Sequence, residues 1–465
     1  MNVESPHSAA ALDRAHVWHP FTQMKEWADP CSEVLVISEG AGAVLRDERG
    51  REFIDGNSSI WTNIHGHRHP AMDAALASQL GRIAHASFLG TTNEVAPRFA
   101  AELIHAMDRP GADYRVFFSD DGSTAVEAGV KMIIQARSQR GESARTGFVS
   151  VSGAYHGDTL GAMSVGHSPF FHRPFRSWLH PVREVPSPAC YRCPHNRAVP
   201  LRGVDAREGR RCEWECVGAL RAALDETPET VAALVMEPIV QGAAGMTMHP
   251  EGYLTRAARL CSERGVWLML DEVMTGFGRT GEMFAYQREG VTPDVLALGK
   301  GITGGYLPLA ATVASAPIHE AFLGEYAEFK TFFHGHSYSG NPLGCAAARA
   351  SLKVFADEST LVGNREKSGW LRRAAATFWE HPHVGDVRVE GMVCAIELVE
   401  DFATRRPFPA SERVGARVCW AARRHGLLTR PVGDVLVLMP PYCITEQQVE
   451  HMRSALWLAL CEILP

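Results

Sequence analysis

The chain has 465 residues, 46% of them hydrophobic and 21% charged, and carries a formal charge of −7. This ordinary globular mixture is long enough for two or three domains. The net negative charge disfavours a broad grip on nucleic acid, and no apolar run approaches the ~18 residues of a membrane span. The opening MNVESPHSAAALDRAH lacks a basic stretch followed by an apolar core, so no secretory signal is expected and a cytoplasmic enzyme is.

In chain order, VLVISEGAGAVLRDERGREFIDG near the start reads as a strand meander. YRVFFS (114–119) reads as a strand leading into GSTAVEAGVKMIIQARSQ, where Val126, Val130, Ile133 and Ile134 fall at helical spacing. GFVSVS (147–152), VAALVME (231–237), VWLMLDE (266–272) and DVLALG (294–299) are buried-strand candidates, and ARLCSERG (258–265) reads as a helix end stopped by Gly265. Alternation of such strands with helical patterns predicts an α/β fold, a mostly parallel sheet flanked by helices. From about 341 the order becomes helix (NPLGCAAARASLKVF), strands (VCAIELV, VLVLMPP) and a closing helix. The expected organisation is 1–65 and 341–465 forming a small α+β domain around a large domain of 66–340, with 181–217 a Cys-, Pro- and Arg-rich insertion. Trp178, Trp370 and Trp457 are expected as core or interface anchors.

The chain has eleven cysteines. Cys31, Cys261, Cys345, Cys394, Cys419, Cys443 and Cys461 are scattered and read as small reduced thiols. Cys190, Cys193, Cys212 and Cys216 form two close pairs that resemble a zinc ribbon. Three residues intervene in the second pair and ribbon-like glycine turns are missing, which favours reduced thiols in a surface insertion; metal binding there stays open. The histidines of HGHRHP (His65, His67, His69) and HGH (His334, His336) have no carboxylate or cysteine at ligand spacing, so no metal is expected at them.

Chemistry-bearing residues gather just after predicted strands, where open parallel sheets bind ligands. Asp271 and Glu272 close one strand, Glu237 another, Lys300 follows a third, and Tyr155, His156 and Asp158 follow a fourth. Lys300 lies among Gly299, Gly301, Gly304 and Gly305 with apolar flanks. An amine short of solvent loses its proton more readily and attacks carbonyls. A carboxylate upstream at Asp271 suits a pyridinium nitrogen, which points to pyridoxal phosphate. Gly122 and Ser123, opening a helix after a strand, suit its phosphate, and Tyr155 could stack on its ring.

MLDEVMTGFGRTG (269–281), LALGKGITGG (296–305), FFSDDGSTAVEAGVKM (117–132) and GAYHGDTLGAMSV (153–165) resemble the class III aminotransferases of pyridoxal-phosphate fold type I, over nearly the whole chain. WHPFTQM (18–24), DGNSSIWTNIHGH (55–67) and LLTRPVGDVLVLMPP (427–441) resemble the branch that aminates 8-amino-7-oxononanoate to 7,8-diaminononanoate on the biotin pathway. The alternative is another class III ω-amino acid or diamine aminotransferase. The resemblance implies that Lys300 bonds the cofactor and shuttles protons, Asp271 holds the ring nitrogen, Tyr155 covers the ring, and Gly122 with Ser123 binds the phosphate. It implies a homodimer, with His336 and Ser337 capping the phosphate across the subunit boundary. Phe21, Ile60, Trp61, Asp158 and Gly335 would lie near the substrates, Arg430 would pair with a substrate carboxylate, and Arg279 would support the site. S-adenosylmethionine-using relatives resemble WHPYT and SSWW, whereas this chain has Phe21 and Ile60 before Trp61. Loss of a hydroxyl and an indole face weakens a site for a sulfonium cation, which tilts the expected donor toward lysine.

Overall fold

The computed structural model describes residues 7–108, 113–166, 168 and 171–465. The N-terminal meander forms as β1 (Ile37–Ala41), β2 (Val44–Asp47) and β3 (Glu52–Asp55), paired antiparallel in sequence order. Next come β4 (Tyr114–Ser119), β5 (Gly147–Val151), β6 (Arg183–Val185) and β7 (Val231–Met236), followed by the short hairpin β8 (Val240–Gln241) and β9 (Thr247–Met248). The central strands are completed by β10 (Trp267–Asp271), β11 (Val295–Leu298) and β12 (Ala310–Ser315). The C-terminal region supplies β13 (Val384–Glu390), β14 (Val393–Leu398), β15 (Leu427–Leu428), β16 (Pro431–Val432) and β17 (Val435–Leu438).

Seven strands form the main sheet in the order β4-β12-β11-β10-β7-β5-β6. Every residue of β7, β10 and β11 is buried, as expected of strands covered on both faces. Parallel register aligns Met269 with Val235 on one side and Val295 on the other, so the carboxyl ends of β7, β10 and β11 open on one edge. The sheet is not wholly parallel: β12 runs antiparallel between β4 and β11. Its sequence AATVAS is too small and weakly β-branched to announce a strand. β6 lies inside the segment read as an excursion from the sheet, yet pairs parallel with β5 as the edge strand. The helix Gly122–Gln139 buries Val126, Val130 and Ile133 as its spacing predicts, but Ile134 is 37% exposed. Trp178 is 74% exposed in the chain and is not a core anchor, whereas Trp370 and Trp457 pack against the core.

The chain ends meet in space: β15 pairs parallel with β3, while β13-β14-β17-β16 form a separate sheet. Inside the latter, Arg388 is buried and donates to Asp386 at 2.8 Å, Glu397 at 2.6 Å and the carbonyl of Gly245 at 2.7 Å. That last bond ties the C-terminal sheet to the loop between β8 and β9. Removing one member of a buried ion pair strands the other charges. Arg388→Leu should therefore lower unfolding free energy by about 3–5 kcal/mol in a denaturant titration, and a loss under about 1 kcal/mol would contradict this account.

Candidate active site

The carboxyl-terminal edge of the main sheet carries the site. Asp271, last residue of β10, is buried, and its Oδ1 accepts the Val273 N–H at 2.9 Å. His156 Nδ1 donates to Asp271 Oδ2 at 2.7 Å from a fully buried ring. Burial disfavours the imidazolium, but the bond and charge of Asp271 outweigh it and raise the His156 pKa. The two bonds fix both carboxyl oxygens of Asp271 in a buried position. Glu237, just past β7, accepts the N–H of Gly242 at 2.8 Å, and burial pushes its carboxyl up to about 7.

Lys300 follows β11 with a backbone φ of 43°, rare outside glycine. Burial lowers the pKa of its amine, with the Asp271 and Glu237 carboxylates pulling the other way. Its Nζ stands 5.1 Å from the centroid of the Trp61 ring. Trp61 ends a left-handed turn in which Ser58, Ser59, Ile60 and Trp61 have φ of 44°, 47°, 69° and 68°. Such a turn costs roughly 1–2 kcal/mol per residue for side chains with a Cβ. Asp55 compensates by accepting the Ser59 N–H at 2.9 Å and its hydroxyl at 2.8 Å, and Ser58 Oγ donates to the Met439 carbonyl at 2.6 Å. Arg279, fully buried, donates to the Pro440 carbonyl at 2.9 Å and supports the same corner.

On the other side, the N-terminus of the helix Gly122–Gln139 faces the cluster. Asp121 caps it by accepting the Thr124 N–H at 3.0 Å, leaving the first-turn N–H groups of Gly122 and Ser123 without an intrahelical acceptor. A Cβ on Gly122 would lie 2.5 Å from Val273 Cγ1, and one on Gly299 would lie 3.3 Å from Gly122 Cα. The lysine loop and the first turn of that helix therefore touch only because both residues lack side chains. Ser123 Oγ accepts the Asp158 N–H at 3.1 Å, and the Tyr155 hydroxyl donates to Asp158 at 2.7 Å. Tyr155 packs edge-on to Phe171 and Phe21, with centroids 5.8 and 6.4 Å away.

The structure thus brings together Lys300, Asp271, Tyr155, Gly122, Ser123, Trp61 and Asp158, with Phe21 beside Tyr155 and Ile60 beside Trp61. His336 hydrogen bonds to Asp120 of its own chain at 2.8 Å, two residues before Gly122. Gly335, Ser337 and Arg430 are exposed, and among the described residues no hydrogen bond, ion pair or ring contact joins them to the cluster. The roles of His156 as partner to Asp271 and of Asp55 as anchor of the turn were not legible in the sequence. His156 stands in the sequence among the polar residues that follow a strand, but nothing in the spacing pairs it with Asp271.

These residues form a cradle for a planar, phosphate-bearing aldehyde: a buried carboxylate, a deprotonatable amine, an aromatic ring and free helix-terminal N–H groups. A model of the aminotransferase class-III family matches residues 24–460. The chain belongs to the class-III aminotransferases. It is a pyridoxal-phosphate-dependent transaminase of fold type I. Among its class-III relatives is a protein of Geobacter sulfurreducens named adenosylmethionine-8-amino-7-oxononanoate aminotransferase. The two are 48% identical over 96% of this chain and 95% of the other. A crystal structure of the protein of that name from Methanocaldococcus jannaschii superposes with a TM-score of 0.90 at 38% identity, covering 97% of this chain and 98% of that one. An amine transaminase from an uncultivated Pseudomonas species, solved with pyridoxal phosphate bound, gives a TM-score of 0.86 at 33% identity, covering 96% and 98%.

Because the Lys300 pKa is lowered, a larger share of its amine is neutral at any given pH than for a surface lysine. In the cofactor-free chain, competitive reductive methylation followed by mass spectrometry should give Lys300 a labelling midpoint below that of exposed Lys25; equal midpoints would refute the burial argument. His156→Asn should weaken cofactor retention by about 1.5–3 kcal/mol, roughly 10- to 150-fold, measured by equilibrium titration with pyridoxal phosphate.

Proposed function

We propose that this transaminase aminates 8-amino-7-oxononanoate to 7,8-diaminononanoate on the biotin pathway, with lysine as amino donor. The acceptor assignment is supported by the names of relatives spanning nearly the full chain, and by WHPFTQM together with TRPVGDV in one sequence. Those names carry adenosylmethionine. The observation that sets lysine against it is the pair Phe21 and Ile60. Phe21 meets Tyr155 without a hydroxyl to offer, and Ile60 presents a branched aliphatic chain where an indole would attract a sulfonium cation.

When bound, pyridoxal phosphate supplies the aldehyde that carries the amino group and an electron-withdrawing ring. The chain's residues do the rest. Gly122 and Ser123 would hold the phosphate by backbone N–H groups, Asp271, fixed by His156, would hold the ring nitrogen, and Tyr155 would lie against the ring. Lys300 Nζ would move the proton, within each half-reaction, between the amine-bearing carbon of the substrate and the carbon of the cofactor that carried the aldehyde, and the burial that lowers its pKa favours its acting as the base. Trp61 and Phe21 shape the substrate side, and Arg430, free of any ion pair among the described residues, is available to a substrate carboxylate.

This reading includes a homodimer in which His336 and Ser337 of each chain border the phosphate site of the other. The exposed Ser337 and the large apolar side chains left uncovered at Leu89 (91% exposed) and Tyr326 (93%) support it.

A donor panel decides the reading. Purified enzyme with 8-amino-7-oxononanoate should form diaminononanoate faster with lysine than with S-adenosylmethionine; the reverse order overturns the donor, and amination of ω-amino ketones but not this ketone overturns the acceptor. Lys300→Ala should reduce turnover by more than about 10⁴-fold, read in single-turnover assays. Arg430→Ala should raise KM for the ketone by roughly 10- to 100-fold while leaving cofactor affinity unchanged, and loss of cofactor with normal KM would contradict its role.

A further inference from the structure

The four clustered cysteines lie away from the residues just described. Cys190 and Cys193 belong to a turn in the insertion, where Arg192 N–H donates to the Ala189 carbonyl and Asn196 N–H to the Cys193 carbonyl. Cys212 precedes, and Cys216 sits in the first turn of, the helix Glu215–Glu226. The two segments are stitched together by the buried Asn196, whose amide donates to the Cys190 carbonyl at 2.9 Å and whose oxygen accepts the Arg211 N–H at 2.9 Å. As a result all four thiols line one void of about 10 Å³, with Arg210 and Trp214 completing its wall. None of the four is in a disulfide.

We propose that Cys190, Cys193, Cys212 and Cys216 form a structural zinc site that pins the insertion to the helix Glu215–Glu226. Four thiolates around one divalent cation form the closed tetrahedral set of structural zinc, with bonds of about 2.3 Å. A void of this size suits a single ion, not a cluster or an organic ligand. The complex would carry two net negative charges, and the surroundings are arranged to meet them. Arg210 donates to Cys212 Sγ at 3.6 Å, and its guanidinium lies 4.0 Å from the Trp214 ring, with Arg256 4.1 Å away over the same ring. Cys216, in a first helical turn, receives the positive end of the helix dipole. Among the described residues no three His, Cys, Asp or Glu side chains stand as a ready-made ligand set. Binding would therefore require the four thiols to turn toward the void they already share.

The site would act at a distance from catalysis. The insertion reaches the C-terminal sheet through Arg192 on Glu397 (2.7 Å) and Arg207 on Glu390 (3.0 Å), and Ser187 donates to Gln241 of β8 at 2.5 Å. Pinning its two ends stabilises the frame around the active site without touching reacting atoms.

The test uses the full-length enzyme with cofactor, purified in reducing buffer. Elemental analysis should find about one zinc per chain that survives dialysis against EDTA and is released as a mercurial titrates four thiols. The double variant Cys193→Ser/Cys212→Ser should hold less than about a tenth of that zinc, keep pyridoxal phosphate and turnover near the parent level at room temperature, and unfold at lower temperature. Should the variant fail to fold, cobalt added to the metal-free parent gives the second reading: thiolate charge-transfer and tetrahedral d–d bands, the latter to the red of the cofactor's absorption. Absence of those bands, retention of zinc by a folded double variant, iron with sulfide in place of zinc, or two disulfides among these residues under reducing conditions would each overturn the proposal.

Discussion

A carboxyl group buried inside the protein and hydrogen-bonded on both oxygens is the constraint the rest of the site accommodates. Asp271 ends a fully buried strand, where an unaccompanied negative charge is costly. The buried His156 ring and the Val273 N–H stabilise it, and the parallel register of β7, β10 and β11 brings Glu237 and Lys300 to the same edge. The low-dielectric surroundings that make a buried charge expensive also lower the pKa of the neighbouring amine, with Asp271 and Glu237 opposing.

Backbone strain is concentrated where substrate selectivity is expected. Four consecutive non-glycine residues adopt left-handed conformations at Ser58–Trp61, and Lys300 does so as well. The strain persists because Asp55 and the Met439 carbonyl hold the serines by direct bonds, as expected when a functional loop is over-determined by its supports. Trp61 is thereby placed with its ring 5.1 Å from the lysine amine.

Much of this was legible from residue order. The strands carrying Asp271, Glu237 and Lys300 are continuous apolar runs ending in polar residues, and the helix at Gly122 announces itself through its small first turn and its apolar spacing. Elements without such contrast were not legible. β12 is built of small residues, and β6 is three residues, two of them charged; both owe their place to neighbouring strands and not to their own propensity. The left-handed turn has no glycine to mark it, since the energy that sustains it comes from Asp55 and from a carbonyl some 380 positions away in the chain. The His156–Asp271 bond joins residues 115 apart, a relation that spacing alone cannot express.

The insertion clasps the C-terminal sheet in two different ways. Alongside its carboxylate contacts, Arg202 donates to the main-chain oxygens of Trp379 and His381, both at 2.9 Å, and Pro382 at 3.0 Å, while Arg405 reaches back to those of Tyr191 and Ala198 at 3.0 and 2.7 Å. These bonds join a cation to peptide dipoles, whose attraction is short-ranged and only weakly attenuated by dissolved electrolyte, unlike the pull between opposite full charges. This part of the seam is accordingly less sensitive to dissolved salt than the ion pairs beside it.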